Sequence, residues 1–390
     1  MNNREAIEKS LPIFITAINM RSGLSIMSPL IPILKEQYQL SSFALSFITS
    51  LSIMCFAGSA FLMPLVAKIG STNRVIGASL AILTMAMIIR AVGNLPLIYF
   101  SSFAMGVSVA VLNFSLPVWV KENVTNHSGL VTGIYITIMG VFANIAIAVT
   151  VPLATSTSWG WRLSTVPWIV IGVFSSVWWL WRNSKLPRKT YVPEPAKFHK
   201  ALLRKSGAWS IALFFGFQAM MGYGALTWMP TILVSKGFSL SEAGLWISIS
   251  GFAGSALGVA APYYGSKLKN FRILLTVVAI TLTISFIAFT LDSGWHLVVW
   301  LFISNFAFAF AFPLCLVLTV TRSVEAAETR SLSIMTQSVG YLMAAISPGI
   351  VAVIFDISNS WNTAWLFLIG IGVVLIGVGY KAGSPEKIII

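Results

Sequence analysis

A chain of 390 residues with 57% apolar and 9% charged residues, and a mean hydropathy of +0.87, has too little polar surface to cover a water-facing globule. That excludes secreted, nucleic-acid-binding and ordinary cytosolic enzyme classes, and assigns the formal net charge of +14 to loops beside a bilayer. The two cysteines, Cys55 and Cys315, both sit in apolar runs and read as packing residues rather than as a disulfide or metal pair.

The chain opens with Arg4, Glu5, Glu8 and Lys9, mixed in sign. The apolar run that follows is too long for a signal-peptide core and has no small-residue cleavage site, so it is expected to be a retained first span. About 20 apolar residues cover the hydrocarbon core of a bilayer. Twelve such stretches follow in order: 10–34, 43–67, 74–92, 97–119, 129–153, 162–181, 208–234, 243–265, 273–291, 296–318, 331–355 and 363–380. Breakers or charges fill the gaps, such as Gly93-Asn94-Leu95-Pro96; the narrowest gap is near 292–296. The runs are continuous rather than alternating, which excludes a β-barrel.

Charge orients the bundle. With the N-terminus placed in the cytoplasm, 20 of the 25 Lys and Arg residues fall on the inside and three, Lys35, Arg162 and Lys236, on the outside. The remaining two, Arg21 and Arg90, lie within spans. Such an asymmetry is the positive-inside pattern. Both termini are therefore expected in the cytoplasm and the protein in the plasma membrane.

The longest polar stretch, 182–207, carries eight basic residues against one acid, Glu194, and is broken by Pro187, Pro193 and Pro195. It reads as a cytoplasmic linker resting on anionic headgroups. It divides the chain into a six-span half at 1–181 and another at 208–390. The halves echo each other: Phe56-Ala57-Gly58-Ser59-Ala60 recurs as Phe252-Ala253-Gly254-Ser255-Ala256, and Pro117 recurs as Pro313 at the same offset of 196 residues. Pro32-Ile33-Leu34 before Leu40-Ser41 is matched by Pro230-Thr231-Ile232-Leu233 before Leu240-Ser241. The expected fold is an all-α integral membrane protein of twelve helices in two six-helix pseudo-repeats, the build of major facilitator transporters, with substrate held between the halves.

Several motifs carry a closer resemblance. They are Asn19-Met20-Arg21 with Ser28-Pro29-Leu30, Asn113-Phe114-Ser115-Leu116-Pro117, Thr132-Gly133-Ile134-Tyr135, Gly160-Trp161-Arg162, Trp228-Met229-Pro230, and Gln337-Ser338-Val339-Gly340-Tyr341 followed by Ser347-Pro348. With these motifs the chain resembles the cyanate and nitroimidazole transporter family of the major facilitator superfamily over most of its length. The resemblance implies transport of small planar solutes, often anionic or weakly polar. The sequence departs from the superfamily's loop between spans 2 and 3: Lys68 and Gly70 fit, but Ala67 replaces the acid and Met63 the first glycine. Ser22 stands where this branch often has proline.

All eleven acids lie outside the expected spans. A carrier of cations driven by protons usually needs a buried carboxylate, so this argues against a cationic multidrug pump and a carboxylate relay. Arg21 is expected about 16 Å deep at 1.5 Å per residue. A charge there costs about 3 kcal/mol or more, so it must face the interior. Ser25 and Ser28 follow at helical spacing. With no acid to pair it, Arg21 is expected to meet an anionic or electron-rich substrate, the alternative being a brace against helix carbonyls. Arg90 is expected to snorkel at the outer end of span 3. It is grouped with Ser25, Ser28, Tyr135 and Pro348 as a gate or structural residue.

Other polar groups at membrane depth either bond neighbouring helices or touch substrate. In this superfamily spans 1, 4, 7 and 10 line the cavity, helped by 5, 8 and 11. That favours Asn113, Gln218, Tyr223, Asn305, Gln337 and Tyr341. Gln337 and Tyr341, four apart, share a face, and a ring such as Tyr223, Tyr341 or Trp228 is suited to stacking on a planar solute.

His127, His199 and His296 are scattered, so no metal or other cofactor is expected, and no GxxxxGK[ST] loop is present to bind ATP. No acid–base pair sits in the spans, which argues against an enzyme. The expected function is secondary transport of a small anionic or weakly acidic polar solute by alternating access. Its partners are the small-molecule substrate, the lipid bilayer and protons carried by the substrate itself, with a monomer as the working form. The alternatives are efflux of small neutral aromatic drugs and, more remotely, a non-transporting membrane receptor.

Overall fold

The computed structural model describes residues 3–58, 71–124, 127–185, 198–257 and 268–388, and these are helical throughout apart from short connections. The first span is α1 (Asn3–Ser25) and α2 (Met27–Tyr38), broken at Ile26. The break has a sequence cause. Pro29 has no N–H for the Ser25 carbonyl, and Pro32 none for that of Ser28, and the Pro29 ring crowds the turn before it.

The other spans follow in order: α3 (Ser42–Ala57), α4 (Thr72–Val92), α5 (Leu95–Asn123), α6 (Ser128–Thr155), α7 (Val166–Lys185), α8 (Ser206–Ser235), α9 (Leu240–Leu257), α10 (Arg272–Leu291), α11 (Trp295–Arg322), α12 (Ala326–Ser358) and α13 (Trp361–Ala382). A 3-10 turn at Gly160–Thr165 leads into α7, and another at Lys200–Arg204 precedes α8. Among the described residues nine helices are long and apolar enough to cross a membrane. The expected inner ends of spans 2 and 8, the loop holding Met63, Ala67, Lys68 and Gly70, and residues 186–197 of the 182–207 linker lie outside the described residues.

The narrow gap at 292–296 is a true break. Gly294 has a φ of +58°, a left-handed conformation that favours glycine, and Trp300 Nε1 donates to Asp292 Oδ2 at 2.7 Å. At the start of α9, Ser239 and Glu242 cap each other. Glu242 Oε2 accepts from Ser239 N and Oγ, and Ser239 Oγ accepts from Glu242 N. Those donors hold the exposed Glu242 carboxyl below the usual carboxylate range.

Lipid is the solvent of the outer faces. On α7, Val170, Val173, Phe174 and Val177 are exposed at helical spacing, as are Ile273, Val277, Ile280 and Ile284 on α10. Inside, small polar groups tie helices together. Asn19 Nδ2 donates to Ser175 Oγ at 2.9 Å and Trp179 Nε1 to Thr16 Oγ1 at 2.8 Å, joining α1 to α7. Each such bond contributes about 0.6 kcal/mol.

Helices of the first six spans meet those of the last six along α3 against α12, α6 against α9, and α2 against α8. One end of the α3–α12 seam is held by a charge. The Asp356 carboxylate, in the last turn of α12, accepts from the backbone N–H groups of Ser42 and Phe43 at 3.3 and 3.1 Å, at the N-terminus of α3. Beside it, Lys35 of α2 lies 5.0 Å from the Phe355 ring centroid, and Phe355 stacks on Trp361 at 3.9 Å. Asp356→Ala removes an N-terminal cap and a favourable dipole interaction, so it is expected to cost about 1 kcal/mol. Asp356→Asn, which keeps the acceptor, should cost less; thermal unfolding in detergent compares the two.

Candidate functional site

The bend in span 1 opens onto an internal cavity of about 60 Å³ between α1, α2, α3, α4 and α8. Span 1 contributes Arg21, Leu24, Ser25, Met27 and Ser28, α3 contributes Thr49, Ser52 and Phe56, α4 contributes Arg90, and α8 contributes Tyr223, Leu226 and Thr227. Two of these are cations and none is an acid.

Arg21 is half-buried on α1 and borders the cavity together with Tyr223 of α8. Behind them is an aromatic cluster. Tyr341 lies 6.5 Å from Tyr223, 5.4 Å from Phe56 and 5.3 Å from Phe215, centroid to centroid, edge to face in each case. Such pairs are worth about 0.5–1.5 kcal/mol beyond their buried area. Gly340 makes the cluster possible, because a Cβ there would overlap the Phe215 ring. Ser25 faces the cavity and is 8% exposed. The Ser28 hydroxyl donates to the Leu226 carbonyl, and Thr227 Oγ1 donates to Thr49 Oγ1 at 3.3 Å, so both join the two sets of spans across the cavity wall.

Arg90 does not snorkel. It is 1% exposed and turned inward. Its Nη1 donates to the Gly23 carbonyl at 2.8 Å, Nη2 to Ser102 Oγ at 2.7 Å and Nε to Ser101 Oγ at 3.1 Å. The reason is that α1 and α5 offer three fixed acceptors at its depth, closer than the interface.

Several residues expected on the substrate are used in packing. Trp228 is fully buried; its ring lies 5.1 Å from that of Trp361 and its Nε1 donates to the Pro348 carbonyl at 3.0 Å. Pro348 therefore holds α12 to α8. Gln218 is 3% exposed and its Nε2 donates to the Phe215 carbonyl at 3.1 Å. Asn305 Nδ2 donates to Ser250 Oγ at 3.1 Å and to the Leu301 carbonyl at 3.0 Å, tying α11 to α9. Tyr135 is 6% exposed on α6 and does not border the cavity. Asn113 and Gln337 are half-buried, apart from the cavity wall, and neither side chain makes a hydrogen bond among the described residues.

The wall from α3 was not among the expected site residues. A signal for it exists: Ser42, Ser46, Thr49 and Ser52 recur at helical spacing in a largely apolar span, and Ser52 Oγ donates to the Ser102 carbonyl at 2.7 Å. Cys55 and Cys315 are buried free thiols.

A bundle of apolar spans surrounds a small, mostly apolar cavity that carries two arginines, and comparison with known proteins places that arrangement among membrane transporters. The chain belongs to the major facilitator superfamily, whose family model matches residues 13–348. It is similar to the uncharacterized transporter YycB of Bacillus subtilis (strain 168), at 29% identity over 96% of this chain and 93% of that protein. It is also similar to two proteins of Escherichia coli (strain K12). The 2-nitroimidazole transporter is 25% identical over 96% of this chain and 95% of its own, and the cyanate transport protein CynX is 23% identical over 94% and 95%. The twelve-helix fold is like that of a bacterial homolog of the human lysosomal transporter Spinster, in an inward-facing and occupied conformation, with a TM-score of 0.82, 13% identity, and coverage of 98% of this chain and 97% of that one.

Proposed function

We propose that the protein is a secondary transporter for a small anionic or weakly acidic polar solute of the size of cyanate or a single nitro-aromatic ring. The observation that carries this reading is Arg21, half-buried on a cavity with no acid among its described lining residues. An arginine paired by no carboxylate offers charge-assisted, forked hydrogen bonds to an anion. The relatives named for cyanate and 2-nitroimidazole transport support that substrate class. A weak acid brings its own proton, so the lack of an intramembrane carboxylate is no obstacle to coupling.

Cavity size favours this reading over efflux of small neutral aromatic drugs. A water needs about 10–15 Å³ by this measure, so about 60 Å³ holds roughly four to six. A triatomic anion fits with room for water; a drug pocket is about 300–1,000 Å³. The aromatic second reading keeps one point in its favour, the Tyr223–Tyr341–Phe56 cluster at the wall.

In the proposed cycle, residues 1–181 and 208–390 rock about the cavity, with the 182–207 linker and both termini in the cytoplasm of a plasma-membrane protein. The contacts of Asp356 and Lys35 then close the outer side. Uptake of labelled cyanate, nitrate, formate and 2-nitroimidazole into proteoliposomes tests the substrate class; transport of neutral aromatics alone would reverse the preference. The topology has its own test. A cysteine placed at position 195 is expected to resist an impermeant thiol reagent in intact cells, and rapid labelling from outside would overturn the orientation.

A further inference from the structure

We propose that Arg90 is a positioning residue and the second cation of the substrate site, fixing the bend of span 1 that presents Arg21. This rests on the transport reading above. The observation is a geometry that a purely structural arginine does not require. Arg90 borders the same cavity as Arg21, and its guanidinium's hydrogen-bond partners among the described residues are neutral: the Gly23 carbonyl and the hydroxyls of Ser101 and Ser102. Three of its five N–H groups are committed to these partners, which leaves two uncommitted. A glutamine could donate to the Gly23 carbonyl without carrying an unpaired charge to this depth, where charge is costly and reserved for function.

The bond to Gly23 gives Arg90 its leverage. Gly23 lies between Arg21 and the break at Ile26, on the last turn of α1. The two serines belong to α5, and both relay to the Ile98 carbonyl, at 2.8 and 2.9 Å, so the guanidinium is anchored before substrate arrives. Holding the Gly23 carbonyl fixes the turn that carries Arg21 and Ser25 on the cavity wall. Two arginines around one acid-free cavity also repel each other. An anion bound between them relieves that repulsion, whereas a neutral solute of the same shape does not.

The experiment measures cyanate affinity, by ligand-dependent thermal shift of the purified full-length protein, together with the Tm without ligand, for wild type, Arg90→Lys and Arg90→Gln. 2-Nitroimidazole at alkaline pH serves as a second anion. Loss of charge-assisted bonds is expected to weaken anion binding about 10- to 100-fold in Arg90→Gln and less in Arg90→Lys. The ligand-free Tm should stay within about 4 °C of wild type. Anion affinity kept within about threefold in Arg90→Gln overturns the proposal. So does a loss of affinity in both variants that only follows a large fall in Tm, since that is what a brace alone would do. If Arg90→Gln does not fold, Arg90→Lys decides: weaker anion binding at an unchanged Tm supports the proposal, and unchanged binding overturns it. Absence of anion binding by the wild type is a different failure, that of the transport reading, and removes this inference with it.

Discussion

Arg21→Gln is expected to abolish uptake of anionic solutes while leaving the protein folded. The guanidinium is the charge that faces the cavity from span 1, and the wall holds no acid that its removal would strand. Removing one partner of a buried ion pair costs stability because it leaves the other charge uncompensated; here there is no such partner. Hydrogen bonds to charged groups contribute about 1.5–3 kcal/mol, which is about 10- to 150-fold in affinity. Arg21→Lys keeps the charge but loses the planar fork, so an intermediate loss of about 10-fold is expected. Uptake and ligand-dependent thermal shift on the three proteins give the answer. Wild-type affinity in Arg21→Gln would make Arg21 structural and favour a neutral aromatic substrate.

Tyr341→Ala is expected to have the largest effect on stability. The ring is 7% exposed and is enclosed by Phe56, Phe215 and Tyr223. Truncation of an enclosed aromatic side chain costs about 3–5 kcal/mol through lost contacts and the void left behind. The shared face of Gln337 and Tyr341 suggests two cavity residues whose loss impairs transport more than folding. For Tyr341 burial reverses that order, and the melting temperature should fall with the alanine. Tyr341→Phe separates the roles: it keeps the packing and removes only the hydroxyl near Arg21, so it should melt like wild type and bind anions less tightly. A Tyr341→Ala protein with unchanged Tm would show that the cluster is not a packing unit. Gln337→Ala, on a half-buried side chain with no hydrogen bond among the described residues, should leave Tm within about 2 °C of wild type.

Depth in the membrane was legible in the sequence; direction around each helix was not. Long apolar runs, with every acid outside the expected spans, were enough for the spans, the family and the lack of an acid at the depth of Arg21. These follow from hydrocarbon thickness and the cost of burying charge, which act on each segment separately. The break in span 1 was likewise written locally, in Pro29 and Pro32.

Which side chains meet the cavity was decided by the tertiary structure. Trp228, Gln218 and Asn305 sit at the right depth, yet Trp228 and Asn305 turn their polar groups onto a neighbouring helix and Gln218 onto the Phe215 carbonyl of its own. Arg90 turns inward because α1 and α5 meet at its level with three acceptors, a coincidence of elements far apart in the chain. Thr49 and Ser52 reach the cavity because α3 packs between α5 and α12. In water, the apolar face of a helix tells which way it points. In a bilayer both the lipid-facing and the packed side are apolar, so that signal fades, and helix orientation is set by close packing and hydrogen bonds between helices.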